Sequence, residues 1–244
     1  SAATTAIRNM CFDGNGHPWL ATNNGIFRFD WSDWKRYSTS DSLPGNDIRK
    51  IGLKKDGTAL ALTDNGLYRL EGMTWHPMPV KGVETAYGIS FSAFAISPDD
   101  TICAGVTNVS SRIMSCVTHG DSVSWEMPSG LEPTFFVDME YDPSGSLWVL
   151  ARGNQGTTHH SNQYCYLYKI YHEKQVIETT INSYGTSIML TSDSSAWIGS
   201  SQYTAIDGTY GGGLYHYANG STIKYSTENG LIDNTVTSVA ITHD

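Results

Sequence analysis

The 244-residue chain carries 15 Lys and Arg against 24 Asp and Glu, a formal charge of −9, so a phosphate backbone is repelled on average and nucleic acid is not an expected partner. Only 16% of residues are charged, whereas 24 Gly, 14 Tyr and 7 Trp suit many short strands joined by tight turns. No window approaches the roughly 18 to 20 consecutive apolar residues of a membrane span, and "SAATTAIRNM" lacks the regions of a signal peptide. A soluble segment is expected, with any export signal or anchor removed and no membrane insertion.

Along the chain, "PWLATNNGIFRFD" (Pro18 to Asp30) returns about forty residues later as "LALTDNGLYRLE" (Leu60 to Glu71). A period of about 40 to 50 residues points to a propeller or a solenoid. The same pattern fits five times, with Trp19, Leu60, Cys103, Trp148 and Trp197 at one position of the second strand. The turn before it reads "DGNG", "KDG", "PDD", "PSG" and "SDSS", residues that accept turn geometry at low cost. Third strands read "GIFRF", "GLYRL", "SRIMS", "YLYKI" and "GLYHY" and alternate as sheet residues do. Fourth strands are expected at Trp34 to Tyr37, Thr74 to Pro77, Ser122 to Glu126, Val176 to Thr179 and Ile223 to Tyr225. No ten-residue stretch reads as an amphipathic helix. The expected fold is all-β, a β-propeller of four-stranded antiparallel blades, with repeats at about 6–46, 47–92, 93–135, 136–186 and 187–235 and an extra strand at 236–244.

"DGNGHPWLATNNGIFRFD" followed by "YSTSDSLPGNDIRKI", and "SAWIGS" with "GGGLYHY" followed by "YSTENGLIDNTVTSV", resemble the two-component-regulator propeller repeat. The likeness is strong in repeats 1, 2 and 5. Repeat 4 keeps "DPSGSLWVLA" with an enlarged loop, and repeat 3 departs most, with "DDTICAGV". It implies a periplasmic, secreted or cell-surface sensor propeller of bacterial hybrid two-component systems, of the Bacteroidetes type, where larger propellers precede an immunoglobulin-like domain, a membrane helix and a kinase. The C-terminal "NTVTSVAITHD" aligns with "AIRNMCFDG". That leaves two arrangements, a piece of a larger ring, which is favoured, or a small ring closed by the extra strand; an open sheet edge is the physical argument for closure.

In a propeller, loops joining strands one to two and three to four share one face, and the remaining loops share the other. The first set is short throughout. In the second set "TNNG" and "TDNG" become "ARGNQGTTHHSNQY" (Ala151 to Tyr164) and "GSSQYTAIDGTYGGG" (Gly199 to Gly213), and "PMPVKGVETAYGISF" (Pro77 to Phe91) is long as well. Insertions confined to one face mark a binding face. The candidate ligand-binding residues there are Arg152, Asn154, Gln155, His159, His160, Tyr164, Tyr203, Asp207, Tyr210, Tyr87 and Tyr184. Aromatic rings with amides and one Arg suit a polar small molecule or an oligosaccharide; the competing reading is that these loops only pack on each other, or serve a protein partner. No cofactor and no metal are expected: His159 and His160 lack further ligands at zinc spacing, and "DGNG" lacks the later acidic ligands of a calcium loop. Trp19, Trp148 and Trp197 are expected to pack between blades.

Cys103 and Cys116 fall on the second and third strands of repeat 3, where a hairpin centred between Val109 and Ser110 opposes them. Opposed residues lie close to disulfide reach, which makes a disulfide a candidate beside buried thiols. Cys11 and Cys165 are not expected to pair. No catalytic residue is assigned: "GxSxG", "HExxH" and Cys/His signatures are absent, and carboxylates in the variable segments are chiefly Glu84, Asp207 and Glu228. The expected function is non-catalytic ligand sensing, with a structural or protein-interaction propeller of a surface assembly as the alternative and a propeller lyase as a lesser one.

Overall fold

The computed structural model describes residues 5–78, 90–107, 112–118, 121–126, 133–155, 162–171, 174–205 and 208–240. The chain divides into two compact units, Ser1–Trp125 and Glu126–Asp244. Blade 1 comprises β1 (Ile7–Phe12), β2 (Pro18–Thr22), β3 (Gly25–Phe29) and β4 (Trp34–Tyr37). Blade 2 comprises β5 (Ile48–Leu53), β6 (Ala59–Thr63), β7 (Gly66–Glu71) and β8 (Thr74–Pro77). Blade 3 comprises β9 (Ser90–Ile96), β10 (Ile102–Thr107), β11 (Arg112–Thr118) and β12 (Asp121–Glu126). In the second unit, blade 4 comprises β13 (Pro133–Tyr141), β14 (Leu147–Gln155), β15 (Asn162–Tyr171) and β16 (Lys174–Ile181). Blade 5 follows as β17 (Tyr184–Leu190), β18 (Ala196–Ala205), β19 (Gly208–Ala218) and β20 (Ser221–Tyr225). Each sheet runs in sequence order, and the four-stranded meander repeated down the chain is the blade of a β-propeller.

Alternation along the second strand decides what each blade buries. Trp19 and Ala21 point from blade 1 onto Ile48, Ile51, Ala59 and Trp75 of blade 2. Leu60 and Leu62 do the same from blade 2 onto Phe94, Ile102 and Ala104 of blade 3. In the second unit, Trp148 and Leu150 meet Ile188, Ala196 and Ile198. Trp19 is 5% exposed and Trp148 2%, as packing residues should be. Trp197 departs from that expectation: it is only half-buried, stacking instead on His216 at 4.2 Å and on Tyr225 at 5.7 Å.

Every first strand contains a bulge that the sequence did not announce. The ladder skips Arg8, Arg49, Ser92, Val137 and Thr186, each eleven residues before the second-strand marker. A bulge bends the strand and re-aims its neighbours. The next side chain then reaches the adjoining blade: Asn9 Oδ1 accepts the Ile51 amide at 3.1 Å, and Asp138 Oδ2 accepts that of Ile188 at 3.1 Å. Edge amides of the first strands are thus occupied by side chains rather than left open to pairing.

The connector after the fourth strand also repeats. Ser38 caps a 3₁₀ turn at Thr39–Asp41, and Ser226 one at Thr227–Asn229. Asn46 Oδ1 accepts the Thr39 amide at 3.2 Å, and Asn234 Oδ1 the Thr227 amide at 2.8 Å. Each asparagine's main-chain oxygen accepts an amide from a third-strand glycine, Gly25 at the start of β3 or Gly213 within β19, both at 2.6 Å. These glycines hold φ at +97° and +113°, and a Cβ would lie 2.3 Å from the Tyr37 oxygen or 2.4 Å from that of Tyr225. Residues 235–240 form no ladder among the described residues; Val236 is held by its amide to the Ser200 oxygen at 2.9 Å and by the Thr186 hydroxyl at 2.6 Å.

Left-handed geometry alone costs a non-glycine residue about 1–2 kcal/mol, and here the overlap adds to it. Gly25→Ala and Gly213→Ala should each lose at least about 2 kcal/mol in urea unfolding. Gly45→Ala, where a Cβ meets open space, should stay within about 0.5 kcal/mol. Equal losses at Gly25 and Gly45 would remove the close approach as the reason for glycine.

Candidate ligand-binding site

Where they are described, the long segments of blades 4 and 5, which by sequence read as loops, are paired strands. In blade 1 the β2–β3 ladder closes at Thr22 opposite Gly25. In blade 4 the β14–β15 ladder runs on to Gln155 opposite Asn162, and in blade 5 β18–β19 runs on to Ala205 opposite Gly208. At about 3.3 Å per residue, the added four or five residues per strand project roughly 15 Å beyond the short form.

Beside these extensions four of the expected residues come together in one row, Arg152 from β14, Tyr184 from β17, Tyr203 from β18 and Tyr210 from β19. Tyr203 lies opposite Tyr210 across β18 and β19, with ring centres 5.8 Å apart. Tyr184 of β17 meets the Tyr203 ring edge-on at 5.3 Å. The Arg152 guanidinium, from β14 of the neighbouring blade, sits 4.8 Å above the Tyr184 ring and donates to the Gly185 oxygen at 2.9 Å. The row is therefore cation, ring, ring, ring, and it grades from buried Tyr203 to Tyr210, which is 38% exposed. Such an arrangement offers π faces for stacking and a fixed positive charge at one end.

Asn154 and Gln155 end β14, opposite Gln163 and Asn162, and half-buried Tyr164 pairs with Gly153 beside Arg152. His159, His160, Asp207 and Tyr87 lie outside the described residues. Two contributors escaped the sequence reading. Asn182 Oδ1 accepts the Tyr203 hydroxyl at 2.7 Å, and Ser183 Oγ accepts the Gly212 amide at 2.7 Å while donating to the Ser201 oxygen at 3.2 Å. Their signal was the polar pair in "INSYG", immediately before Tyr184. Cys165, opposite Arg152, is buried, accepts the Gly185 amide at 3.1 Å, and has its thiol pushed up by burial to about 11. Cys11 is likewise raised by burial, to about 12; neither is a thiolate nucleophile at neutral pH. The blade 3 register sets Cys103 directly opposite Cys116. Among the described residues no three His, Cys, Asp or Glu side chains converge as metal ligands.

The blade that supplies Arg152 is fastened by Asp142, whose side chain is fully buried. Its carboxylate accepts the Ser144 and Ser146 amides at 2.9 Å, the Trp148 indole at 3.0 Å and the Lys169 ammonium at 3.2 Å. Burial disfavours its charge, but the bonds from Ser144, Trp148, Ser146 and Lys169 outweigh burial and hold the carboxyl at about 2. Lys169 also lies 4.8 Å over the Trp148 ring. Blade 1 repeats the device, with Asp13 joined to Arg28 at 3.0 Å and Arg28 5.3 Å over Trp19. Asp13 also accepts the amides of Asn15 and His17, so "DGNG" is an Asx-braced turn.

No family model and no curated protein sequence matches the chain. Among solved structures, the extracellular domain assigned to a hybrid two-component system of B. thetaiotaomicron, BT3049, is similar at 16% identity and a TM-score of 0.65, covering 97% of this chain and 30% of that one. PorZ, a surface component of the type-IX secretion system of Porphyromonas gingivalis, is similar at 17% identity and a TM-score of 0.64, covering 98% of this chain and 36% of that one. A streptogramin B lyase is similar at 11% identity and a TM-score of 0.52, covering 96% of this chain and 86% of that one. The chain spans about a third of the length of the two-component-system domains it matches. At these identities the likeness shows the β-propeller fold. Among the described residues, no helix is long and apolar enough to cross a membrane.

Because the Asp142 carboxyl is held below its ordinary value, its stabilisation is fully present above about pH 4 and is lost as pH falls through about 2. Asp142→Asn should therefore cost about 2 kcal/mol at pH 7 and flatten the fall in stability between about pH 5 and 2, measured by urea unfolding across that range. An unchanged pH profile would remove Asp142 from the account.

Proposed function

We propose that this propeller is a non-catalytic, extracytoplasmic ligand-binding module of the sensor type. Its recognition surface is the face bearing the extended hairpins of blades 4 and 5. The observation that carries this reading is the Arg152, Tyr184, Tyr203 and Tyr210 row, assembled on strands that lengthen only where the short blades turn back. Tyrosine rings present flat apolar faces with polar edges, which suits the alternating C–H faces and hydroxyls of an oligosaccharide or a similar polar small molecule. The proposal extends to Asn154, Gln155 and Tyr164 of the same strands and to His159, His160 and Asp207 of the same sequence segments. The fold shared with extracellular domains of two-component systems supports the sensing role and a periplasmic or surface location.

A second reading, a protein-interaction propeller of a surface assembly, is favoured by the similarity to PorZ, a surface component of a secretion system. A thermal-shift screen over soluble glycans and polar metabolites separates the two. The sensor reading expects at least one ligand to raise Tm, with Tyr210→Ala and Arg152→Ala each weakening it by about tenfold, or about 1.4 kcal/mol. Folded protein that captures a surface protein yet shifts with no small molecule would transfer the function to the alternative.

Oxidation chemistry gives a separate expectation for blade 3. Incubation with oxidised glutathione should join Cys103 to Cys116 with release of two reduced glutathione molecules, because the register opposes them. Peptide mapping after alkylation should find that bridge and leave Cys11 and Cys165 alkylated only after unfolding; recovery of the Cys103 and Cys116 peptides without the bridge would refute it.

A further inference from the structure

Met73 stands at the tip between β7 and β8, one residue past Gly72, whose φ of +62° turns the chain. Counted from the third-strand glycines Gly25, Gly66 and Gly213, the same column holds Ser32 in blade 1 and Gly220 in blade 5, so the turn itself does not ask for methionine. At 62% exposed, Met73 is the most open methionine whose side chain is described: Met10 is 48% exposed, Met78 and Met189 are half-buried, and Met139 is 1% exposed. An exposed thioether is the methionine that an oxidant in solution reaches first.

Its sulfur nevertheless has a partner from the neighbouring blade. Lys35, on β4, donates its ammonium to Met73 Sδ at 2.8 Å and lies 4.5 Å over the ring of buried Tyr37, so the ring helps to fix where the charge sits. Lys35 makes no ion pair with a carboxylate among the described residues, and Glu71, two residues before Met73, is joined instead to Arg69 at 2.6 Å. A thioether is a weak acceptor. The ammonium is therefore held beside a sulfur that answers little of its charge, in a contact that joins blade 1 to blade 2.

We propose that Met73 is a redox-modification site whose sulfoxide is captured by Lys35, so that oxidation by hydrogen peroxide tightens the contact between blades 1 and 2. The sulfur lone pair attacks one peroxide oxygen, the O–O bond breaks, and the departing hydroxide takes the proton of the new S–O–H group and leaves as water. Sulfur is oxidised by two electrons and the peroxide is reduced by two. The sulfoxide oxygen carries partial negative charge, and Lys35 then donates a charge-assisted N–H···O bond in place of the bond to sulfur. Oxidation inside a core disrupts packing, and Met139 is where that damage would fall; Met73 lies at the surface and gives up little packing for its new acceptor. Sulfoxide reductases reverse the change, which makes the contact adjustable. The site uses no residue of the hairpin row.

The test is limited treatment of the folded 244-residue chain with hydrogen peroxide, followed by peptide mapping and thermal unfolding, in the wild type, Lys35→Ala and Met73→Leu. Met73 sulfoxide should form ahead of Met10 sulfoxide, with Met139 unmodified. The shift in Tm on treatment, less the shift of Met73→Leu, should be about +2 °C or more in the wild type and absent in Lys35→Ala at equal conversion of Met73. A methionine sulfoxide reductase should return the wild type to the Tm of the Met73→Leu-corrected untreated protein. Slower oxidation at Met73 than at Met10, a wild-type shift no greater than that of Met73→Leu, or an equal gain in Lys35→Ala would overturn the proposal.

Discussion

The contact on which blades 1 and 5 depend is between two main chains: the amide of a third-strand glycine and the asparagine oxygen of the connector, 2.6 Å apart in both. At these glycines the fourth-strand carbonyl leaves no room for a side chain, since a Cβ would lie 2.3 Å from the Tyr37 oxygen or 2.4 Å from that of Tyr225. The geometry then propagates. With the connector seated, the following segment passes close beside the second strand, and its first residues can be bonded from the bulged strand, as Val236 is by Thr186. Stacked Trp, cation and Asp groups in blades 1 and 4 brace the opposite ends of the same strands. Blade 1 is thereby tied at both ends, blade 5 at its connector and blade 4 at its first turn.

Strand positions were legible because a half-buried strand must alternate and a tight turn must use Gly, Asp, Asn or Ser, so "GIFRF" and "DGNG" declare themselves locally. The bulges were illegible for the converse reason. Arg8, Arg49, Ser92, Val137 and Thr186 share no chemistry, since a residue left out of the ladder is chosen by what its neighbour must reach. The extended strands are illegible in sequence because "RGNQ" and "TYGGG" carry loop composition, and ladder bonds do not depend on side-chain type. Trp197 was misjudged on the assumption that one repeat position means one environment, whereas burial also requires a covering surface.

At the candidate site, composition found the residue types and topology supplied the adjacency. Arg152 and Tyr184 lie more than thirty residues apart, and only the packing of blade 4 on blade 5 brings guanidinium to ring. Asn182 and Ser183 were overlooked because they act as acceptors that hold Tyr203 and Gly212 in place.

Repetition itself separates scaffold from function in this chain. At the column before the first turn, Asp13 and Asp142 accept as many hydrogen bonds as a carboxylate can and stay charged for structural reasons. Lys54 at the same column cannot accept those bonds, and its turn closes instead through Asp56 Oδ1, which takes the Thr58 amide at 2.8 Å. The turn therefore needs no acceptor at that column, and the Lys54 ammonium lies instead 3.8 Å from the Asp56 carboxylate. Where a repeat meets a structural need by another route, the freed position can carry a charge that the fold does not require, and such positions are the ones from which binding chemistry can be built without loss of the blade.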